Sequence, residues 1–231
     1  MTVVPDTLED AALALADGRP CIFPTDTVYG VGVAVCAASG PDILFDVKQR
    51  DAGKPIAWLV GSIDDLQRYG KNLPSGVCQL AHRFWPGALT VIVEASDIVP
   101  ASYRSESGTI GLRMPANETT LALIRRVGSP LATTSANISG RPSVSRFELL
   151  DTELLARVGC ALRDSVESLH SGVASTVIDC TGGGVRMVAK AESPLKTSQL
   201  NHKDCVGNVL SKCDNMCGCT IGFAGIYQWK A

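Results

Sequence analysis

Apolar residues recur along this chain in short runs separated by polar, Gly- and Pro-containing stretches, a spacing that predicts alternating helices and strands. Thr7 followed three residues later by Asp10 forms a capping-box pair, so a helix is predicted over 8–17, closed by Asp17-Gly18. Cys21-Ile22-Phe23 is a continuous apolar run ending at Pro24, the pattern of a short buried strand, and Val31 to Val35 predicts a second. Ile43, Leu44 and Val47 fall on one face of a helix predicted over 41–50. Ile56 to Val60 has no polar residue, as expected of a strand covered on both faces. Helices are predicted at 62–69 and 75–84, and strands at 89–93 and 109–113.

Asn117 is placed to cap a helix running to Val127, whose Leu121, Leu123 and Ile124 are apolar. Arg125-Arg126 lies near its end, where the helix dipole favours cations. Further strands are predicted around 130–133, 160–163, 175–179 and 185–189, with helical material between Ser145 and Val158. Strands and helices that interleave in this way predict an α/β fold with a mixed sheet. Near Glu192 the composition shifts toward Ser, Asn, Lys, Cys and Gly. The boundary is therefore set between a domain over 1–191 and a Cys-rich extension over 192–231.

Length and composition change this picture little. A chain of 231 residues is long enough for a core that needs no staples. A net charge of -2 argues against a protein that wraps nucleic acid over its whole surface. The N-terminus carries Asp6, Glu9 and Asp10 in place of a basic and apolar leader, and no apolar run is long enough to span a bilayer, so a cytoplasmic location is expected. Cys21, Cys36, Cys78, Cys160 and Cys180 sit in apolar stretches and read as small core residues. In the extension, His202, Cys205, Cys213, Cys217 and Cys219 are close together, but Cys-x3-Cys-x-Cys does not match the paired Cys-x2-Cys spacing of zinc knuckles. No metal site is assigned there.

Common nucleotide motifs fail. Gly30-Val31-Gly32 lacks the third glycine of a dinucleotide fingerprint, and neither Gly53-Lys54 nor Gly70-Lys71 completes a phosphate-cradling loop. Other segments carry the candidate chemistry. Pro24-Thr25-Asp26-Thr27-Val28-Tyr29-Gly30 places hydroxyls, a carboxylate and a phenol at a strand end, where open α/β sheets bind ligands; it reads either as a strand-to-turn connection capped by Asp26 or as threonine hydroxyls that hold a small polar ligand. Lys48, Arg50 and Lys54 put three cations within seven residues, either a solvated helix end or a clamp on a polyphosphate. Trp85-Pro86-Gly87 reads as a rigid turn. Arg113, at a strand end before Met114-Pro115, is placed either in a surface ion pair or to grip a carboxylate. Thr133-Thr134-Ser135-Ala136-Asn137 and Ser175-Thr176 supply short donors with little bulk.

In this order and spacing, from about residue 7 to residue 188, these segments resemble the YrdC family of threonylcarbamoyl-AMP synthases. The resemblance rests on PTDTVYG at 24–30, KQR and KP within 48–55, WPGALT at 85–90, GLRMP at 111–115, TSANISG at 134–140 and STVID at 175–179. It implies a twisted open sheet around a large, positively charged cavity. It also implies a reaction of L-threonine, bicarbonate and ATP that gives threonylcarbamoyl-AMP and pyrophosphate. A partner threonylcarbamoyl transferase complex would then modify tRNA. By position, Thr27, Arg113 and Thr133 would hold threonine. Lys48, Arg50 and Lys54 would be the catalytic cations on the triphosphate. Ser135, Asn137, Ser175 and Arg186 would complete the ATP site. Mg2+ would ride on the phosphates, since no carboxylate cage stands out in the sequence. His82, His170 and His202 lie outside these motifs and read as structural or surface residues.

Where the family shows Arg-x-x-Arg-x-Gly after STVID, this chain has Arg186, Ala189 and Ala191, which places nucleotide affinity in question. Two rivals follow from the same residues: a non-catalytic module that binds tRNA or double-stranded RNA, and an enzyme that makes a different carbamoyl-adenylate. The acidic balance and the small-donor loops favour a small polar ligand over the first, and the absence of acylphosphatase and zinc-finger parts weighs against the second.

Overall fold

The computed structural model describes residues 5–49, 56–164, 170–182 and 185–189, all within one unit, Met1–Glu192. The predicted extension over 192–231 and its cysteines lie outside the described residues. Helix α1 (Leu8–Ala16) starts as its sequence dictates. The Thr7 hydroxyl accepts from the Asp10 amide at 3.1 Å, and the Asp10 carboxylate accepts from the Thr7 amide at 3.1 Å. Strands β1 (Cys21–Phe23) and β2 (Gly30–Ala34) follow, then α2 (Asp42–Lys48), which ends at Gln49 in the left-handed region. The expected helix over 62–69 is shortened to α3 (Asp65–Tyr69), because the Asp65 carboxylate ties up the Gly61 and Ser62 amides in a turn.

Strand β3 (Ala57–Leu59) precedes α3, and β4 (Gly70–Lys71) follows it. After α4 (Ser75–Phe84) come β5 (Leu89–Ala95), β6 (Thr109–Arg113), α5 (Glu118–Val127) and β7 (Leu131–Ser135). Asn117 caps α5 as predicted, accepting from the Thr120 amide at 3.0 Å. The helical material expected between Ser145 and Val158 is a 3-10 turn at Phe147–Leu149 and the short helix α6 (Thr152–Leu155). Strands β8 (Cys160–Ala161), β9 (Thr176–Asp179) and β10 (Arg186–Ala189) complete the described elements.

The sheet runs β10-β9-β5-β6-β3-β7-β2-β1-β8, with β4 on β5. It is mixed: β1 and β8, β3 and β6, and β5 and β9 pair in parallel, and the other pairs are antiparallel. The edge strands β8 and β10 do not pair with each other, so the sheet stays open.

Strand alternation divides the labour between the two faces. Trp58, Val91, Val93, Ile110, Leu112 and Ala132 enter the larger core with Leu44, Leu66, Val77 and Ala81 from the helices. On the other face, Phe23, Leu59 and Leu131 meet Ala11, Leu15, Leu123 and Ile124 from α1 and α5. Beyond these two helices the same face carries Ala57, Thr90, Ile92, Thr109, Gly111, Arg113, Thr133 and Ser135, which line a cavity of about 940 Å³. The registers put these positions together: Ala57 lies opposite both Gly111 and Thr133, and Ile92 lies opposite Gly111.

Gly32 exists for space. A Cβ there would sit 2.6 Å from the Ala132 carbonyl oxygen and 2.9 Å from the Phe23 ring. Gly32→Ala is therefore expected to cost about 1–3 kcal/mol, the usual penalty for overfilling a tight core, measured by urea unfolding. Gly76→Ala on α4, where an added Cβ meets nothing within 4 Å, is the control that should lose no stability.

Candidate active site

Arg113 ends β6 and is buried, 6% exposed. Its Nη2 donates to Asp26 Oδ1 at 2.6 Å, Nη1 to Thr27 Oγ1 at 3.0 Å, and Nε to the Gly87 carbonyl at 3.0 Å. A guanidinium has five N–H bonds. These contacts use three, which leaves one donor on each terminal nitrogen in a residue that lines the cavity. Burial pushes the guanidinium pKa down, and the Asp26 charge and hydrogen bond draw it back up. Of the two alternatives read from the sequence, a surface ion pair is excluded: the Asp26 pairing is interior, with side chains 7% and 14% exposed.

The 24–30 segment is shaped by its own short side chains. The Thr25 hydroxyl donates to the Val28 carbonyl at 2.6 Å and lies 2.8 Å from the Thr27 hydroxyl, so the chain turns tightly and presents Thr27 beside Arg113. Thr120 on α5 donates to the Pro24 carbonyl, and the Asp26 carboxylate also accepts from the Ala116 amide at 3.1 Å. The Trp85-Pro86-Gly87 turn contributes more than stiffness. Gly87 receives Arg113 on its carbonyl and donates its amide to the Met114 carbonyl at 2.8 Å. A Cβ at Gly87 would come within 2.4 Å of the Phe84 carbonyl oxygen.

The cavity brings together Thr27, Arg113, Thr133, Ser135 and Ser175 from the residues singled out in the sequence. Ser175 pairs with Thr90, hydroxyl to hydroxyl at 2.9 Å. Three other expectations change. Lys48 is not a solvent-facing group: it is 2% exposed, and its ammonium donates to the Ser135 carbonyl and to Asn137 Oδ1 at 3.1 Å. Helix α2 and the Ser135 strand end converge there, so the lysine supports the loop from beneath. Asn137 belongs to that support, because its amide nitrogen donates to the Ile138 and Arg141 carbonyls at 3.1 and 2.6 Å. Arg186 is drawn away to an exposed pair with Asp179 at 2.7 Å, directly across the β9–β10 register. Burial would raise the Asp179 pKa, but the Thr181 hydroxyl and amide and the Arg186 guanidinium hold its carboxyl below the usual range.

Arg50 and Lys54 lie outside the described residues. Among the described lining residues the charges are balanced, Arg104 and Arg113 against Asp42 and Glu106, so the expected positive cavity is not seen in this part of the wall. Arg104 is turned toward the Val99 and Asp97 carbonyls, at 2.8 and 3.1 Å.

The sequence did not single out Asp26 as the partner of Arg113, nor Thr90 or Tyr103 as part of the wall. Asp26 sits between the two threonines of its motif, which was a usable signal; the other two are set by strand parity and by the turn at Ala101–Tyr103. Burial, with Asp42 and Cys36 adding to it, pushes Tyr103 up to about 12. Its hydroxyl has no hydrogen-bond partner among the described residues.

A family model, Sua5/yciO/yrdC, described as "Telomere recombination", matches residues 13–191. The threonylcarbamoyl-AMP synthase of Pyrococcus abyssi is 36% identical over 171 residues, covering 74% of this chain and 50% of that protein. The putative threonylcarbamoyl-AMP synthase of Mycobacterium tuberculosis is 33% identical over 187 residues, covering 81% of this chain and 84% of that protein. Among solved structures, P. abyssi Sua5 complexed with L-threonine superposes with a TM-score of 0.73 at 32% identity, over 80% of this chain and 54% of that one. The chain thus spans about half the length of the archaeal relative and most of the mycobacterial one.

Lys48→Met keeps the aliphatic stem and removes the donor, leaving the Ser135 carbonyl and Asn137 without it. A loss of about 1–3 kcal/mol in unfolding free energy is expected, the cost of a buried polar group losing its partner. An unchanged thermal midpoint would mean that the ammonium is no prop for the loop.

Proposed function

The chain belongs to the Sua5/yciO/yrdC family, and on that premise we propose that it is an L-threonylcarbamoyladenylate synthase that joins L-threonine, bicarbonate and ATP. The observation that carries this reading is the pairing of Arg113 and Thr27 in a cavity that the hydroxyl-bearing Thr133, Ser135 and Ser175 also line. The two free donors of Arg113 suit a carboxylate, which a planar guanidinium grips in two places. Asp26 holds the guanidinium plane before any ligand arrives. The P. abyssi relative, solved with L-threonine, supports giving this wall to the amino acid.

The chemistry asks little proton transfer of the protein. The threonine amine adds to CO2 released from bicarbonate and forms an N–C bond, the amine proton joins the hydroxide left by bicarbonate to give water, and the resulting carbamate oxygen attacks the α-phosphorus of ATP. The bond to the bridging oxygen breaks, and pyrophosphate carries away the electron pair. Rate enhancement then comes from placing two reactants in one cavity and from fixed donors that meet developing charge. The Ser135 and Ser175 hydroxyls are assigned to the nucleotide. Lys48 acts on it indirectly, by fixing the Ser135–Asn137 loop, and Arg50 and Lys54 are proposed as the cations on the triphosphate. Mg2+ is proposed to enter with ATP and to supply charge neutralisation on its phosphates.

The adenylate is proposed to pass to a partner threonylcarbamoyl transferase complex that modifies tRNA, and direct contact with tRNA is part of the same proposal. A cytoplasmic location belongs to this proposal too; no helix among the described residues is long and apolar enough to cross a membrane.

Incubation with ATP, Mg2+, bicarbonate and labelled threonine is expected to yield the labelled adenylate and pyrophosphate. Arg113→Ala should raise the threonine requirement well beyond the ATP requirement. RNA binding with no threonine-dependent pyrophosphate release would favour the non-catalytic RNA-binding reading instead. Ala189 lies in the cavity wall at the position where the family pattern has its second Arg. Ala189→Arg is therefore expected to tighten ATP binding about tenfold, the scale of one charge-assisted contact to phosphate, read by calorimetric titration. Weaker or unchanged binding would show that this wall does not face the nucleotide.

A further inference from the structure

His170 lies outside the sequence motifs, and its side chain is deeply buried, 1% exposed. Its Nδ1 lies 2.7 Å from the Ser145 carbonyl, which can only accept, so this nitrogen carries a proton and donates. Its Nε2 lies 2.8 Å from Asp164 Oδ2. That carboxylate also accepts from Asn117 Nδ2 at 2.6 Å, and the amide orientation of Asn117 is fixed because its oxygen caps α5. Thr119 donates to Asp164 Oδ1 at 3.3 Å, and the Asp164 amide donates to the Tyr29 hydroxyl at 3.1 Å. The Tyr29 ring meets the imidazole edge to face, centroids 5.5 Å apart. One histidine thus links the helix cap after Arg113, the tyrosine of the 24–30 segment and the Ser145 turn.

The two residues that follow make this linkage matter for the site. The Ser171 amide donates to the Asp26 carbonyl and the Gly172 amide to the Thr27 carbonyl, both at 2.9 Å. Gly172 has a φ of +73°, a conformation that glycine adopts at little cost. The segment anchored by His170 therefore holds the backbone of the two residues whose side chains orient Arg113.

We propose that His170, fixed between Asp164 and the Ser145 carbonyl, is a positioning residue that sets the Asp26–Thr27–Arg113 clamp through the Ser171 and Gly172 amides. It touches no substrate. Resting on the functional reading above, it tunes affinity for the amino acid rather than for the nucleotide, because the atoms it fixes lie on the Arg113 wall.

Steady-state kinetics of His170→Ala are expected to show the threonine KM raised about tenfold, the scale of one lost well-placed contact, with kcat and the ATP KM moved less than about twofold. His170→Gln, which keeps a terminal amide able to reach Asp164, should recover part of the threonine affinity. Both KM values rising together, or neither rising, would overturn the proposal. Amide hydrogen exchange provides a readout that needs no substrate: Ser171 and Gly172 should exchange about tenfold faster in His170→Ala than in wild type, and equal rates refute the linkage. Wild-type protein without threonine-dependent turnover would sink the functional reading while leaving that comparison intact. If the variants fail to fold, wild type answers through the reciprocity of coupled sites: threonine binding should slow exchange at Ser171 and Gly172, and unchanged exchange overturns the proposal.

Discussion

A buried guanidinium must have its charge met, and much of this site follows from how Arg113 meets that demand. Removing a charge from water is costly unless hydrogen bonds and an opposite charge surround it. Asp26, Thr27 and Gly87 supply those partners from two loops distant in sequence. Each of these loops is held in turn. The Thr25–Val28 bond tightens the first, and the Gly87 amide anchors the second to Met114. The arginine therefore organises the backbone around it as much as it awaits a ligand.

The sheet supports this arrangement through parity. The central strands turn Trp58, Val91, Leu112 and their neighbours to one face, where they form the main core. Most alternate positions on the cavity side are small or hydroxylated, Ala57, Thr90, Gly111, Thr133 and Ser135, with Ile92 and Arg113 the larger side chains there. Short side chains leave volume above the strands, and hydroxyls keep that volume polar. Helices α1 and α5 cover the end of this face where Phe23, Leu59, Leu131 and Cys160 need cover. The cavity is the part of the face that they leave open.

Lys48 shows how a chemically suggestive motif can divide its labour. Its position at the end of α2 brings the ammonium under the Ser135 strand end, and a lysine in so closed a space needs acceptors within reach. The Ser135 carbonyl and the Asn137 side chain provide them. Asn137 is consumed in the same way by the loop that it closes. Residues that a motif suggests as ligand contacts thus become the frame that presents Ser135.

Local interactions were legible from the chain alone. The Thr7–Asp10 box, the Asn117 cap, the β6 strand over Thr109–Arg113 and the order of motifs depend on neighbours within a few residues or on hydrophobic period. What is close in sequence can be judged from sequence. The Asp26–Arg113 pair, the burial of Lys48, the diversion of Arg186 to Asp179 and the His170–Asp164 linkage were decided only by tertiary structure. Asp26 and Arg113 meet across 87 residues, and Lys48 and Ser135 likewise. Which partner a charged side chain finds depends on strand register and on which face it is turned to, and pairing across the sheet fixes both only once the whole chain has folded.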